Sequence, residues 1–272
     1  MTAKDIARIF EEIAPKSIGI KGDELGFIYG DPDTLVTGIG CLWCAHTQSL
    51  QYCVDHTLNM IITHEGLWLP KQTSAWYDGP TEAQIFSNRA RREILDKNNI
   101  VVYRSHSNWD ALPVNGISDS AVAALGFTDA KEIGRQKFFS VQELAEALTV
   151  EALKQRVENG LGFSGCRIFG DAKMPIKRFA FLIGGFGENQ HHMPQAAKEM
   201  GAEAIIIGEM SEFIVIACLE MGLPVIESLH SISEIPGIRN QAKLLKERLH
   251  PLPVEYVPSG AMSFTDQKTQ AE

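Results

Sequence analysis

Short apolar runs separated by longer amphipathic stretches constrain this chain most. LNMIIT (58–63), the core of 100–105 (VVYRS), and segments 179–184, 204–207 and 224–228 are runs of the length that reads as buried strands. VTGIGCLWCA predicts another strand within 35–45, and 22–30 carries short strand and turn signals before the turn Asp31-Pro32-Asp33. Between them, helices are expected over 2–13 (stripe Ile6, Ile9, Phe10, Ile13), 47–58, 81–98 with Thr81 as N-cap, 119–125, 194–200, 212–221 and 238–249. One or two more are expected over 140–158, opened by the capping-box pattern Ser140-Val-Gln-Glu143. Strands alternating with helices predict an α/β fold with mostly parallel sheet order.

The formal charge of −9, from 25 basic and 34 acidic residues, repels phosphate backbones and argues against a nucleic-acid partner. Arg89, Arg91 and Arg92, followed by Glu93 and Asp96, read as a solvated helix face. No apolar run reaches the roughly 18 residues that span a bilayer, and the N-terminal helix lacks the pattern of a signal peptide. A soluble, cytoplasmic protein with no membrane partner is the expectation. Five cysteines, an odd set, do not suggest a disulfide framework. Cys41-Leu-Trp-Cys44 lies in the strand-like run, where residues three apart face opposite ways, so a buried strand is favoured over a redox or zinc motif.

In open α/β sheets ligands gather at the carboxyl ends of strands. Three strand ends here carry ligand-type residues: His64-Glu65, His106-Ser-Asn108-Trp-Asp110, and His230 with Glu234. One histidine after a strand is more often structural; three such ends converging on one crevice would supply five or six N/O ligands. Imidazole and carboxylate without thiolate suit Zn, Mn, Fe, Co or Ni, one or two ions per chain. Asp110 suits a bridge, Asn108 a donor that orients a ligand or water, and Glu65 a general base, with Glu212 a weaker candidate. His230 and Glu234 share a face if their turn is helical. Gly184-Gly185-Phe-Gly187 reads as a tight turn, with phosphate contact the alternative. His191-His192 reads as surface, His46 and His56 as structural, and Trp68, Trp76 and Tyr77 as packing rather than a pocket mouth.

With these residues on the page the chain resembles the Nif-three-like family (NGG-one interacting factor three-like proteins, also labelled GTP cyclohydrolase I type 2 homologues). The resemblance spans roughly 5–250 and rests on IITHEGLW (61–68), SHSNWDALPVNGISDSAVAALGF (105–127), GGFGENQ (184–190), GAEAIIIGEMSE (201–212) and GLPVIESLHSISEIPGIRNQAKLLKERL (222–249). It implies a dinuclear site from a His-His pair, an Asp in a His-x-Asn-x-Asp-like segment, and a late His-x3-Glu. The matching positions are His64, Asp110, His230 and Glu234, with His106 in the same segment; Glu65 stands where the second His is usual. Glu212 and Phe213 depart from a Ser-His-His-like stretch, and Asp23-Glu-Leu-Gly26-Phe27 from a Trp-Asp-Asn-x-Gly-Leu-like one. The resemblance also implies two interleaved α/β lobes, near 1–127 and 128–257, with a metal cleft between them at the strand ends. Residues 258–272 read as a tail, and a homo-oligomer, a toroidal hexamer, is implied. The expected function is a metal-dependent hydrolase, cyclohydrolase-like or phosphoesterase-like, acting on a small polar or nucleotide-like substrate. The alternatives are a non-catalytic metal-binding scaffold or an interaction protein.

Overall fold

The computed structural model describes residues 1–69 and 77–264. The chain forms two compact units, Met1–Leu112 with Ile238–Glu272, and Pro113–Gly237. The division falls earlier than the one read near 127. Phe127 packs on Phe179 and Asp119 pairs with Arg135, which ties this stretch to the second unit.

The first unit opens with α1 (Ala3–Ile13), capped reciprocally by Thr2 and Asp5. Its buried face is Ala3, Ile6, Ala7 and Phe10; Ile9 and Ile13 are only half-buried. Next come β1 (Gly26–Tyr29), β2 (Ile39–Leu42), α2 (Thr47–Asp55), β3 (Met60–Thr63), α3 (Phe86–Lys97), β4 (Val101–Arg104) and the single turn α4 (Ser107–Asp110). Thr81 opens only a 3-10 turn at Glu82–Gln84; the helix expected over 81–98 begins at Phe86, with Ile85 rather than Thr81 at its N-cap.

The second unit contains α5 (Ile117–Ala124), β5 (Lys131–Gln136), β6 (Phe139–Thr149), α6 (Val150–Leu161), β7 (Arg167–Phe169) and β8 (Pro175–Leu182). β9 (Gly185–Phe186), α7 (His192–Glu199), β10 (Ala204–Ile207), β11 (Glu209–Met210), α8 (Glu212–Glu220) and β12 (Val225–Glu227) follow. Then α9 (His230–Arg248) leads the chain back to the first unit, where β13 (Val254–Val257) ends the regular structure apart from a 3-10 turn at Ala261–Phe264.

Among the described residues the first unit holds a five-stranded sheet, β1-β4-β3-β2-β13, parallel except for β1. The second holds a six-stranded sheet, β5-β6-β8-β10-β12-β7, whose β8, β10 and β12 are parallel, and the short pair β11-β9. The fold is α/β with largely parallel order, as the alternation predicted.

The expectation for 140–158 is corrected. Its first half is strand β6, and the helix begins only at Val150. Glu, Leu and Ala favour helix locally. However, β6 is hydrogen-bonded on both edges, to β5 and to β8, and Phe139, Val141 and Leu144 are buried there. Tertiary pairing outweighs propensity. Ser140 opens no helix; it sits opposite Arg135 and Phe181. The expected elements also omit strands β5, β7, β9, β11 and β13. The start of the expected tail is docked: Ser259 is buried and accepts from the Trp43 N–H (2.7 Å), and Phe264 packs on His46.

Cys41 is buried within β2, but that strand ends at Leu42, so Cys44 falls in the bend beyond it and only the first cysteine of the pair lies on the expected strand. No helix among the described residues is long and apolar enough to cross a membrane.

Candidate metal centre

In the first unit β2, β3 and β4 run parallel in a register that aligns Leu42, Thr63 and Arg104 at their carboxyl ends. His64 and Ser105 therefore leave the sheet side by side. The Ser105 carbonyl lies 3.1 Å from His64 Nδ1, which makes that nitrogen the N–H donor and leaves Nε2 as the ligating one. His64 Nε2 stands 3.3 Å from Asp110 Oδ1, with the imidazole fully buried and the carboxylate nearly so. His106 completes the group: one ligand atom from each of His64, His106 and Asp110 lies within 4.8 Å of the others. Glu65, the next residue after His64, is buried and its N–H donates to the Trp43 carbonyl (2.7 Å).

Asp110 is held because α4 is wedged into the core. Trp109 stacks on Phe10 of α1 at 5.8 Å and is fully buried. Asn108 donates to the Ala14 carbonyl (2.9 Å) and accepts from Ser105 Oγ (3.1 Å). Asn108 thus ties down the backbone that carries the site, rather than donating to a ligand as expected.

Asp23 anchors the same turn from below. Its Oδ2 accepts from His106 Nδ1 (2.9 Å), the Ser107 N–H (3.1 Å) and Ser107 Oγ (2.5 Å), while Oδ1 takes Arg104 Nη1 (2.6 Å). Burial pushes this carboxyl upward. The hydrogen bonds from His106, Ser107 and Arg104, with the His106 charge, more than offset that and hold it well below the usual carboxylate range. In the sequence Asp23 shows only as part of a departure from the Trp-Asp-Asn-x-Gly-Leu-like segment. The available signal was Arg104, a cation in an otherwise apolar strand that needs a carboxylate partner when buried.

In the second unit, Ile207 and Glu227 are level at the ends of β10 and β12. Beyond β12 the chain turns through Ser228 and Leu229 into α9. α9 begins at His230, ahead of the helix expected over 238–249, so the condition for His230 and Glu234 to share a face is met, with Nε2 3.4 Å from Oε1. His230 Nδ1 is 3.0 Å from Glu209 Oε1 on β11, which again fixes the tautomer. Glu209 was not singled out from the sequence. Gly184 and Gly185 exist here for space. Gly184 has φ +69°, and a Cβ there would lie 2.4 Å from Glu234 Oε1; at Gly185 it would lie 2.6 Å from Glu209 Oε1. The glycine run is thus a tight turn that lets backbone approach the His/carboxylate pair.

These donors fit a divalent ion. Bonds of roughly 2.0–2.2 Å in a tetrahedral site put two ligand atoms on one ion roughly 3.3–3.6 Å apart. The His–carboxylate separations of 3.3 and 3.4 Å match that spacing.

Other candidates fall elsewhere. Glu212 and Phe213 open α8 and are exposed. His46 is the N-cap of α2, His56 bonds the Tyr52 carbonyl, and His191 and His192 are exposed. Trp68 packs on Tyr29 and under Arg92, while Arg91 donates to the Leu67 carbonyl, so part of the arginine cluster serves packing. Tyr77 bonds the Pro80 carbonyl, and Trp76 lies outside the described residues.

Fold and donors together define an α/β protein with His/carboxylate groups at the carboxyl ends of parallel strands. The chain belongs to the Duf34/NIF3 (NGG1p interacting factor 3) family, whose model matches residues 1–261. It is 29% identical over 259 residues to a GTP cyclohydrolase 1 type 2 homolog of Clostridium perfringens, covering 92% of this chain and 93% of that protein. A Methanocaldococcus jannaschii protein of the same name is 23% identical over 257 residues, covering 92% and 96%. Among solved structures, a Bacillus cereus protein related to NIF3 shares the fold with a TM-score of 0.78 at 15% identity, covering 98% of each chain.

Proposed function

We propose that this protein holds one or two divalent ions (Zn, Mn, Fe, Co or Ni) through His64, Glu65, Asp110, His230 and Glu234, and hydrolyses a small polar or nucleotide-like substrate. One observation carries the reading. In each unit a histidine has Nδ1 fixed by an oxygen acceptor while Nε2 faces a carboxylate oxygen at ligand–ligand spacing. His106, with Nδ1 on Asp23, is a further candidate ligand. When bound, such ions supply Lewis acidity and lower the pKa of water. The chain's own part is to orient the imidazoles through Ser105 and Glu209, and to hold the Asp110 turn on Phe10 and Ala14. Glu65, if not fully coordinated, serves as the general base. The name printed for the Clostridium relative directs the search toward nucleotide-like substrates.

The test is metal content per chain, by elemental analysis of untagged protein purified without chelator, beside His64→Ala, Glu65→Ala and Asp110→Ala. Near two equivalents, lost in the variants, supports a dinuclear site. About one equivalent, indifferent to Glu65→Ala, reduces it to a mononuclear site without Glu65. No metal after reconstitution sinks the reading. Metal retained with no turnover on phosphoester, cyclic purine and amide panels leaves a non-catalytic metal-binding protein.

A further inference from the structure

The second unit contains a cleft of about 600 Å³, within the range of roughly 300–1,000 Å³ that encloses small organic ligands. On one side stands Arg167, on the edge strand β7. The antiparallel register sets it opposite Glu227 of β12. The two residues differ sharply in exposure: the Glu227 side chain is 5% exposed and that of Arg167 is 68%. Both Glu227 oxygens are used, Oε1 by the Met210 N–H (3.0 Å) and Oε2 by Arg167 Nη2. A guanidinium gripped at one end by a buried, immobile carboxylate keeps its remaining N–H donors in a fixed plane.

The rest of the lining is apolar wall and small residues with one further carboxylate, Glu209, whose Oε1 is taken up by His230 Nδ1 (3.0 Å). Phe163 and Phe186 supply apolar wall, and Gly187 adds no side chain beyond them. Ser211 stands at the opening of α8, and its Oγ has no hydrogen-bond partner among the described residues. Guanidinium forks match phosphate oxygens in pairs. With the chain acidic overall, such a site suits a small molecule better than a polyanion.

We infer that this cleft binds an organic phosphate, with the phosphate on Arg167 and the organic body against Phe163 and Phe186. This deepens the hydrolase reading by naming its substrate class, and it rests on that reading for its catalytic meaning only. Glu227 is the positioning residue for Arg167.

The test is calorimetric titration of the metal-replete full chain with a nucleoside 5′-monophosphate, the matching nucleoside, and inorganic phosphate. Wild-type protein is expected to bind the monophosphate at least ~10-fold more tightly than either fragment. Arg167→Gln should weaken it ~10–100-fold, the worth of a charge-assisted hydrogen bond, with metal content unchanged. Arg167→Lys keeps a cation for Glu227 but loses the fork; it should retain the wild-type melting temperature and still lose ~10-fold, which separates recognition from folding. Glu227→Gln should weaken binding less than Arg167→Gln. Equal affinity in wild type and Arg167→Lys, or no binding by metal-replete wild type, overturns the inference and leaves the metal reading standing. Arg167-dependent binding by a chain that holds no metal supports the inference while the metal reading falls.

Discussion

The His/carboxylate groups of the two units solve the same problem with different materials. His64 is oriented by a backbone carbonyl between parallel strands, and its neighbours are tied to α1 and to Asp23. His230 is oriented by the side chain of Glu209, which is 58% exposed, and sits under a glycine turn that admits no side chain. The first group is rigid by construction, because sheet register cannot shift locally. The second depends on an accessible carboxylate and on empty space, so single substitutions retune it. Damage to the supports of the first should therefore read out as instability, and damage to the supports of the second as altered metal affinity with the fold intact.

Asp23→Ala should have the largest effect. It strips the partner from Arg104, whose side chain is only 9% exposed, and the acceptor from His106 and Ser107. Removing one member of a buried pair costs about 3–5 kcal/mol, to be read from urea unfolding. A loss under ~1 kcal/mol would dissolve the contrast between the groups. Gly184→Ala should come next, lowering metal affinity by roughly 10–100-fold, as loss of a ligand-orienting contact does. Its counterpart Gly66→Ala, beside Glu65, meets nothing within 4 Å and should stay within ±0.5 kcal/mol and keep wild-type metal content. Equal effects in competitive chelator titrations would refute the spatial argument. Glu209→Ala should cost roughly tenfold in affinity without moving the melting temperature, and Glu209→Gln less, because an amide oxygen still accepts from Nδ1.

The smallest effect concerns pH. Burial, helped by the Arg91 charge, holds His46 down to about 4. Above pH ~6.5, the ordinary histidine value, it is neutral folded or unfolded. As pH falls from there toward 4 the unfolded chain takes the proton first, so stability drops across that window. His46→Asn keeps an N-cap for α2 and removes the titration. Its melting temperature should fall less between pH 7 and pH 5, by roughly 2–4 °C; parallel curves would show that His46 contributes nothing to acid sensitivity.

What was readable in the sequence follows from which signals are local. The runs ending at His64 and His106 had to be buried strands, and the His230/Glu234 spacing needed only one helical turn to become a pair. β6 was misread because its helix-forming residues are overruled by neighbours on both edges. Asp23 and Glu209 escaped because each acts on a histidine distant in sequence, and no spacing rule reports such a partner. Arg104 held the overlooked clue to the first, a buried cation awaiting an anion.

The pairing of β13 with β2 sets a schedule as well as a register. Val254 lies beside Ile39, yet the whole of Pro113–Gly237 must be synthesised between them. At ribosomal speeds of roughly 5–20 residues per second, the stretch from Ile39 to Val254 takes on the order of 10–40 seconds. During that interval the flank of β2 reserved for β13 stays an open edge, the kind that recruits strands from other chains. A nascent chain of this protein therefore has a defined period of vulnerability, closed by the four-residue strand β13.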